Sequence, residues 1–266
     1  MGIVIAVANQ KGGVGKTTSC VNLAAALAAQ RKRVLLIDTD PQGNSTSGLG
    51  IDKKSLDLST YDLLLGNQEA AGQAIIKARP YLDVLPSHID LAGAEIELVD
   101  MKGREGRMAA LLEPLKDDYA IVLIDCPPSL GLLTVNALTA ADAVLIPVQA
   151  EYYALEGLMQ LMTTLGLVKK AYNPRLRLAG VFITMFDTRT QLSKQVRDEV
   201  AWYFRQDFLK TAIPRNVRLS EAPSYGRSIF EYDKRSRGAS SYKGLAQELS
   251  KRLSSSDWLE GRLGAL

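Results

Sequence analysis

The chemistry-bearing residues of this sequence are two lysines, a threonine and a small set of aspartates. Lys11, Lys16 and Thr17 fall within Asn9-Gln10-Lys11-Gly12-Gly13-Val14-Gly15-Lys16-Thr17-Thr18. Asp38 and Asp40 follow one apolar run, and Asp125 ends another. Glycines at this density let a backbone curl so that successive N–H groups point inward at phosphate oxygens. A lysine behind them can reach the β/γ-phosphates, and a threonine hydroxyl can ligate Mg²⁺. Two carboxylates beside such a loop repel a phosphate substrate unless a cation or a water stands between. They therefore point to metal organisation and to positioning of an attacking water. The chemistry implied is phosphoryl transfer to water.

These groups need elements that hold them together. Residues 3–8 read as a buried parallel strand before the loop, and residues 20–30 as a helix after it. Strand, glycine loop and helix N-terminus make the context a phosphate-binding loop needs, and the helix adds partial positive charge at its mouth. Residues 33–38 read as a second buried strand ending at Asp38 and Asp40, which places both on the ligand edge of a parallel sheet. Residues 119–125 read as a third, stopped by Pro127 and Pro128. That strand places Asp125 beside Thr17, where it can hold Mg²⁺ through water.

The 266 residues, 47% of them hydrophobic, suffice for one sizeable core. A net charge of +3 argues neither for nor against nucleic acid, so any basic surface must be local. The two cysteines, Cys20 and Cys126, show no framework spacing and read as small core residues in a reducing compartment. No apolar run approaches the roughly 18 residues of a membrane span, and no leader-like segment opens the chain. Helices are expected near residues 59–66, 70–78, 91–99, 106–115, 130–140, 191–205 and 242–253. Further strands are expected at 81–86, 143–148, 178–185 and, briefly, 208–213. Tyr242, Leu245, Ala246, Leu249 and Leu253 share one face of the closing helix, as docking on a domain requires. The fold class is α/β: a single doubly wound domain over residues 1–253, with a mainly parallel sheet and helices on both faces, followed by a flexible tail at 254–266.

The form Lys-Gly-Gly-x-Gly-Lys-Thr, with Gln10 where the general motif has glycine, is the deviant Walker A motif. With Asp125-Cys126-Pro127-Pro128 and the stretch at 149–157, the sequence resembles the ParA/MinD ATPase superfamily, most nearly its chromosome-partitioning ParA (Soj) group. The resemblance covers residues 2–253. It implies a Mg²⁺-dependent ATPase that binds ATP and ADP through Lys11, Gly12, Gly13, Val14, Gly15, Lys16, Thr17 and Thr18. Lys16 would hold phosphates within the subunit and Lys11 would cross to a partner's nucleotide. Spacing alone leaves Lys11 open to an ordinary solvated role. Asp40 would orient the water, Thr17 and Asp125 would serve Mg²⁺, and Asp38 would stand behind them. Pro214 and Asn216 would lie near the adenine ring. The helix following the stretch at 149–157, through about residue 171, would help form an ATP-dependent homodimer face. Arg189 and Arg218 would contact double-stranded DNA without sequence preference, with Lys234, Arg235 and Arg237 as weaker additions. The implied function is chromosome or plasmid partitioning by a cytoplasmic, nucleoid-associated switch, with hydrolysis stimulated by a ParB-type partner. A MinD-like membrane-associated ATPase is the alternative, but the tail carries little of the basic amphipathic character needed, so no stable membrane association is expected. A nitrogenase-like redox ATPase would need two suitably placed cysteines, and only Cys126 qualifies. A ParA-like transcriptional regulator is the remaining rival.

Overall fold

The computed structural model describes residues 2–66, 68–152, 154–255 and 258. Seven strands form one sheet in the order β3-β4-β2-β5-β1-β6-β7. They are β1 (Ile3–Val7), β2 (Val34–Asp38), β3 (Ile76–Arg79), β4 (Leu82–Leu85), β5 (Ile121–Asp125), β6 (Ala143–Gln149) and β7 (Arg177–Thr184). All pairs are parallel except the edge hairpin β3–β4.

The central strands are apolar up to their carboxyl-terminal residues because both faces are covered. Along β1, Val4 and Ala6 join one core cluster while Ile5 and Val7 join another. In β5, Val122 and Ile124 divide from Ile121 and Leu123 in the same way. The helices Leu132–Ala140, Ala154–Ala171 and Gln191–Phe204 cover the first face. The helices Lys16–Ala28 and Arg237–Leu253 cover the second. The closing helix buries Tyr242, Leu245, Ala246, Leu249 and Leu253, the face its spacing predicts. Each large apolar side chain so buried contributes about 1.5–3 kcal/mol. The helix begins earlier than expected because Ser236 caps it, its side chain accepting from the Ala239 N–H.

Two expected elements differ. Residues 70–78 are not one helix: Ala71–Ala74 is a single turn, and Ile76–Arg79 is β3. The β-branched Ile75-Ile76 pair and the turn at Pro80 and Tyr81, where Tyr81 takes φ +65°, favour an antiparallel edge strand over helix propensity. Residues 208–213 run beside β7 without becoming a strand. The Leu209 and Ile213 N–H groups donate to the Val181 and Ile183 carbonyls at 2.8 Å. Between them the Lys210 and Thr211 N–H groups donate instead to the Glu248 carboxylate, at 2.7 and 2.9 Å. A side chain of the closing helix thus takes part of the ladder.

Past that helix, Ser254 and Ser255 still donate N–H bonds to the Ser250 and Arg252 carbonyls. Trp258, within the segment expected to be a flexible tail, is buried with the Arg177 guanidinium 4.1 Å over its ring. The other apolar tail positions, Leu259, Leu263 and Leu266, lie outside the described residues.

Candidate functional site

The carboxyl ends of β1, β2 and β5 lie side by side. Val7 and Asp38 are both register partners of Asp125. Loops leaving these ends open into the crevice where parallel sheets bind ligands.

The loop after β1 is shaped by two left-handed glycines, Gly13 at φ +74° and Gly15 at φ +88°. A Cβ on Gly13 would meet nothing within 4 Å, and one on Gly12 only Pro128 at 4.0 Å, so the space beside these two glycines is open. Both flanks are clamped. The Asn9 amide donates to the Pro147 carbonyl at 2.8 Å and accepts from the Lys11 N–H at 3.0 Å. The Thr184 hydroxyl donates to the Val14 carbonyl at 2.8 Å. The helix starts at Lys16 rather than Cys20, so its free first-turn N–H groups belong to the loop itself.

The two lysines separate. Lys16 is 6% exposed, and its ammonium donates to the Lys11 carbonyl at 3.1 Å. Burial lowers its pKa, against the pull of Asp125 and Asp40. Lys11 turns outward, its ammonium 3.0 Å from the Glu151 carboxylate, which also lies 3.9 Å from Arg215. A half-exposed pair of this kind contributes at most about 1 kcal/mol, so it can be exchanged for a phosphate.

The aspartates are arranged in depth. Asp38 is fully buried and accepts from the Thr46 N–H at 2.8 Å, the Thr46 hydroxyl at 2.7 Å and the Asp40 N–H at 3.2 Å. It tethers the loop that carries Asp40. Asp40 is also buried, at 8% exposure, its Oδ1 accepting from the Gln42 N–H at 2.9 Å. Asp125 is fully buried; its Oδ2 accepts from Ser45 Oγ at 2.6 Å, and its Oδ1 has no partner. Burial and the neighbouring carboxylates push Asp38 and Asp125 above the ordinary carboxylate range. The Thr17 side chain lies against Asp125. An orphaned carboxylate oxygen and the hydroxyl of a threonine beside the same carboxylate are hard oxygen donors that suit Mg²⁺. No group of three or more His, Cys, Asp or Glu side chains gathers into a metal cluster among the described residues.

Beside the loop lies a cavity of about 280 Å³ lined by Gly15, Thr18, Thr184, Pro214, Asn216 and Tyr242, among others. Pro214 and Asn216 thus sit next to the phosphate loop. Arg189 and Arg218 stand outside this cleft. The loop bearing Arg189 touches the segment that leads into the short helix Val217–Glu221 bearing Arg218, since the Phe186 N–H donates to the Ile213 carbonyl at 3.0 Å and the Arg215 N–H donates to the Phe186 carbonyl at 3.3 Å. The Arg189 side chain is 86% exposed and forked onto Asp187 at 3.0 and 2.7 Å. That of Arg218 is 55% exposed, 2.9 Å from Glu221 and 3.8 Å from Asp233.

Sequence reasoning passed over Ser45, Thr46, Ser87, Thr184 and Glu151. The first two sit in the polar run at 44–47, whose hydroxyl density beside two aspartates was the available signal. Ser87 donates to the Asp40 carbonyl at 2.7 Å from the end of β4, a contact made only by strand pairing. Cys20 and Cys126 are free, buried thiols.

Comparison with known proteins places this geometry. The family described as an AAA domain matches residues 2–178. The chain is 58% identical over 251 residues to the sporulation initiation inhibitor protein Soj of Bacillus subtilis, covering 94% of this chain and 98% of that one. It is 51% identical to the chromosome partitioning protein ParA of Myxococcus xanthus, covering 95% of this chain and 89% of that one. Among solved structures, a Mycobacterium smegmatis protein described as cobyrinic acid a,c-diamide synthase, with bound ADP and magnesium, superposes with a TM-score of 0.84. Its identity is 40%, over 96% of each chain. The phosphate loop, the buried aspartates and these relatives together place the chain in the ParA/MinD family of P-loop ATPases, with Soj and chromosome-partitioning ParA proteins among its relatives.

Proposed function

We propose that the chain is a Mg²⁺-dependent ATPase whose ATP-bound form pairs two copies and binds duplex DNA without sequence preference. Hydrolysis to ADP resets it, and a ParB-type partner speeds that step, so that chromosomes or plasmids are partitioned. Such a switch works in the cytoplasm on the nucleoid. The observation that carries this reading is the divergence of the two loop lysines. Lys16 turns into the loop, where it holds the β/γ-phosphates of the subunit's own ATP. Lys11 turns out to a weak pair with Glu151, placed to exchange it for the phosphates of a second subunit. Thr17 and Asp125 would hold Mg²⁺, which supplies charge neutralisation between the phosphates. Asp40 orients the water for in-line attack, held in place through Asp38 and Ser87. Pro214 and Asn216 border the adenine pocket.

The name of the mycobacterial structure points to amide synthesis. The chromosome-partitioning name belongs to a relative at 51% identity, and a Soj protein is 58% identical, both over nearly the whole chain, against 40% for that structure; they favour the partitioning reading. Among the described residues, no helix is long and apolar enough to cross a membrane.

The DNA face is the part most open to test. Arg189 and Arg218 sit on touching segments at the nucleotide edge, so pairing two subunits would gather four arginines. Each would exchange its acidic neighbour for a DNA phosphate. Arg189→Ala and Arg218→Ala are each expected to weaken DNA binding of the ATP form while ATP affinity and dimerisation hold. The salt dependence should become shallower by about one unit for each phosphate no longer neutralised, or about two for a symmetric dimer. Salt titrations on two unrelated duplexes measure this. Wild-type affinity in both variants, or strong preference for one duplex, would reject the face.

A further inference from the structure

The two oxygens of Asp125 are treated differently by the protein. Oδ2 accepts a short bond from Ser45 Oγ at 2.6 Å, within the range of charge-assisted O–H···O bonds. Oδ1 is equally buried and has no partner. A lone aspartate can turn about its Cβ–Cγ bond and exchange its oxygens; one anchored through a single oxygen cannot do so without breaking that bond. Ser45 is itself fully buried, so its hydroxyl has no solvent to turn to.

Ser45 is also fixed from behind. It lies on the single-turn helix Asn44–Gly48, reached through the turn closed by the Gly43 N–H on the Asp40 carbonyl at 2.8 Å. The next residue, Thr46, donates twice to Asp38 and accepts from the Ser87 N–H at 2.9 Å. Strand β2 and the end of β4 therefore grip this turn, and Ser45 extends from it toward β5. The segment that bears Asp40 thus also bears the group that anchors Asp125.

We propose that Ser45 is a positioning residue for the divalent cation: by holding Asp125 Oδ2 it keeps the unpartnered Oδ1 available to accept from a cation-bound water. The inference rests on the nucleotide-site reading above. It also links the cation to the catalytic loop, because displacing Asp125 pulls on the segment that carries Asp40. A bland role, in which Ser45 only satisfies a buried carboxylate, would affect stability but not the cation dependence of nucleotide binding.

The test is a Mg²⁺ titration of ATP binding by calorimetry in wild type, Ser45→Ala and Ser47→Ala, with a parallel titration in chelator. Ser47 is the control, since its hydroxyl donates to the Gly43 carbonyl on the same short helix without touching Asp125. Removing an outer partner of a metal ligand typically weakens metal affinity about 10–100-fold. Ser45→Ala is expected to raise the Mg²⁺ concentration for half-saturation by about 10-fold, with Mg²⁺-free ATP affinity within about twofold of wild type. Ser47→Ala should match wild type. Ser45→Cys keeps a weak donor at the site and should shift less; it answers the question if the alanine variant does not fold. An unshifted Mg²⁺ dependence in Ser45→Ala, or an equal shift in Ser47→Ala, would overturn the role of Ser45 alone. A wild-type protein that binds no ATP at any Mg²⁺ concentration would remove the nucleotide reading and this role with it.

Discussion

Lys16→Ala is expected to weaken MgATP binding by about 100-fold or more. The Lys16 ammonium sits in the buried mouth of the loop with the Lys11 carbonyl as its hydrogen-bond acceptor, leaving donors for phosphate oxygens. Charge-assisted bonds contribute about 1.5–3 kcal/mol each, so losing two removes about 3 kcal/mol or more. Each 1.4 kcal/mol is about tenfold in affinity. The variant should fold, because Lys16 bears a desolvation cost in the free protein that alanine does not. A ligand at about 100 times its Kd stabilises a protein by about 2.7 kcal/mol. Wild type should therefore melt higher with MgATP, and Lys16→Ala should not. Calorimetry showing unchanged affinity would sink the phosphate-loop assignment.

The second large effect separates assembly from turnover. Asp40→Ala should bind ATP and form a dimer that persists, while turnover falls about 10²–10⁴-fold, the usual contribution of a positioned acid–base group. Lys11→Ala should bind ATP and stay a monomer, if the outward lysine reaches a second subunit's phosphates as proposed. Light scattering after size exclusion reads the assembly state, and phosphate release reads turnover. An Asp40→Ala enzyme with normal turnover, or a Lys11→Ala dimer of normal stability, would overturn the respective role.

Much of this site was legible in the sequence because its parts are local. Residues 9–18 carry glycines, lysine and threonine at fixed spacing, and the buried strands before Asp38 and Asp125 are continuous apolar runs. Parallel pairing then brings those strand ends together, as the Asp38–Asp125 register records. What escaped depends on contacts between distant segments. The Ser45–Asp125, Ser87–Asp40 and Lys11–Glu151 contacts join residues 80, 47 and 140 positions apart. Serines and a glutamate in loops carry no periodic signal that would announce such partners. The misread element at 70–78 fails for a related reason. Its helix-favouring alanines are overruled by an edge pairing with β4, a tertiary contact that propensity does not register. The segment at 208–213 likewise yields two of its N–H groups to Glu248, 38 and 37 residues away.

The central claim is that ATP, and not ADP, creates the DNA-binding form. Its most direct test is co-sedimentation of the wild-type chain with duplex DNA in ADP, in ATP and in a slowly hydrolysed ATP analogue, each with Mg²⁺. The account predicts that DNA carries the protein down with the analogue and with ATP, and leaves it in solution with ADP. Equal binding in all three nucleotide states, or no binding with the analogue at low salt, would contradict it.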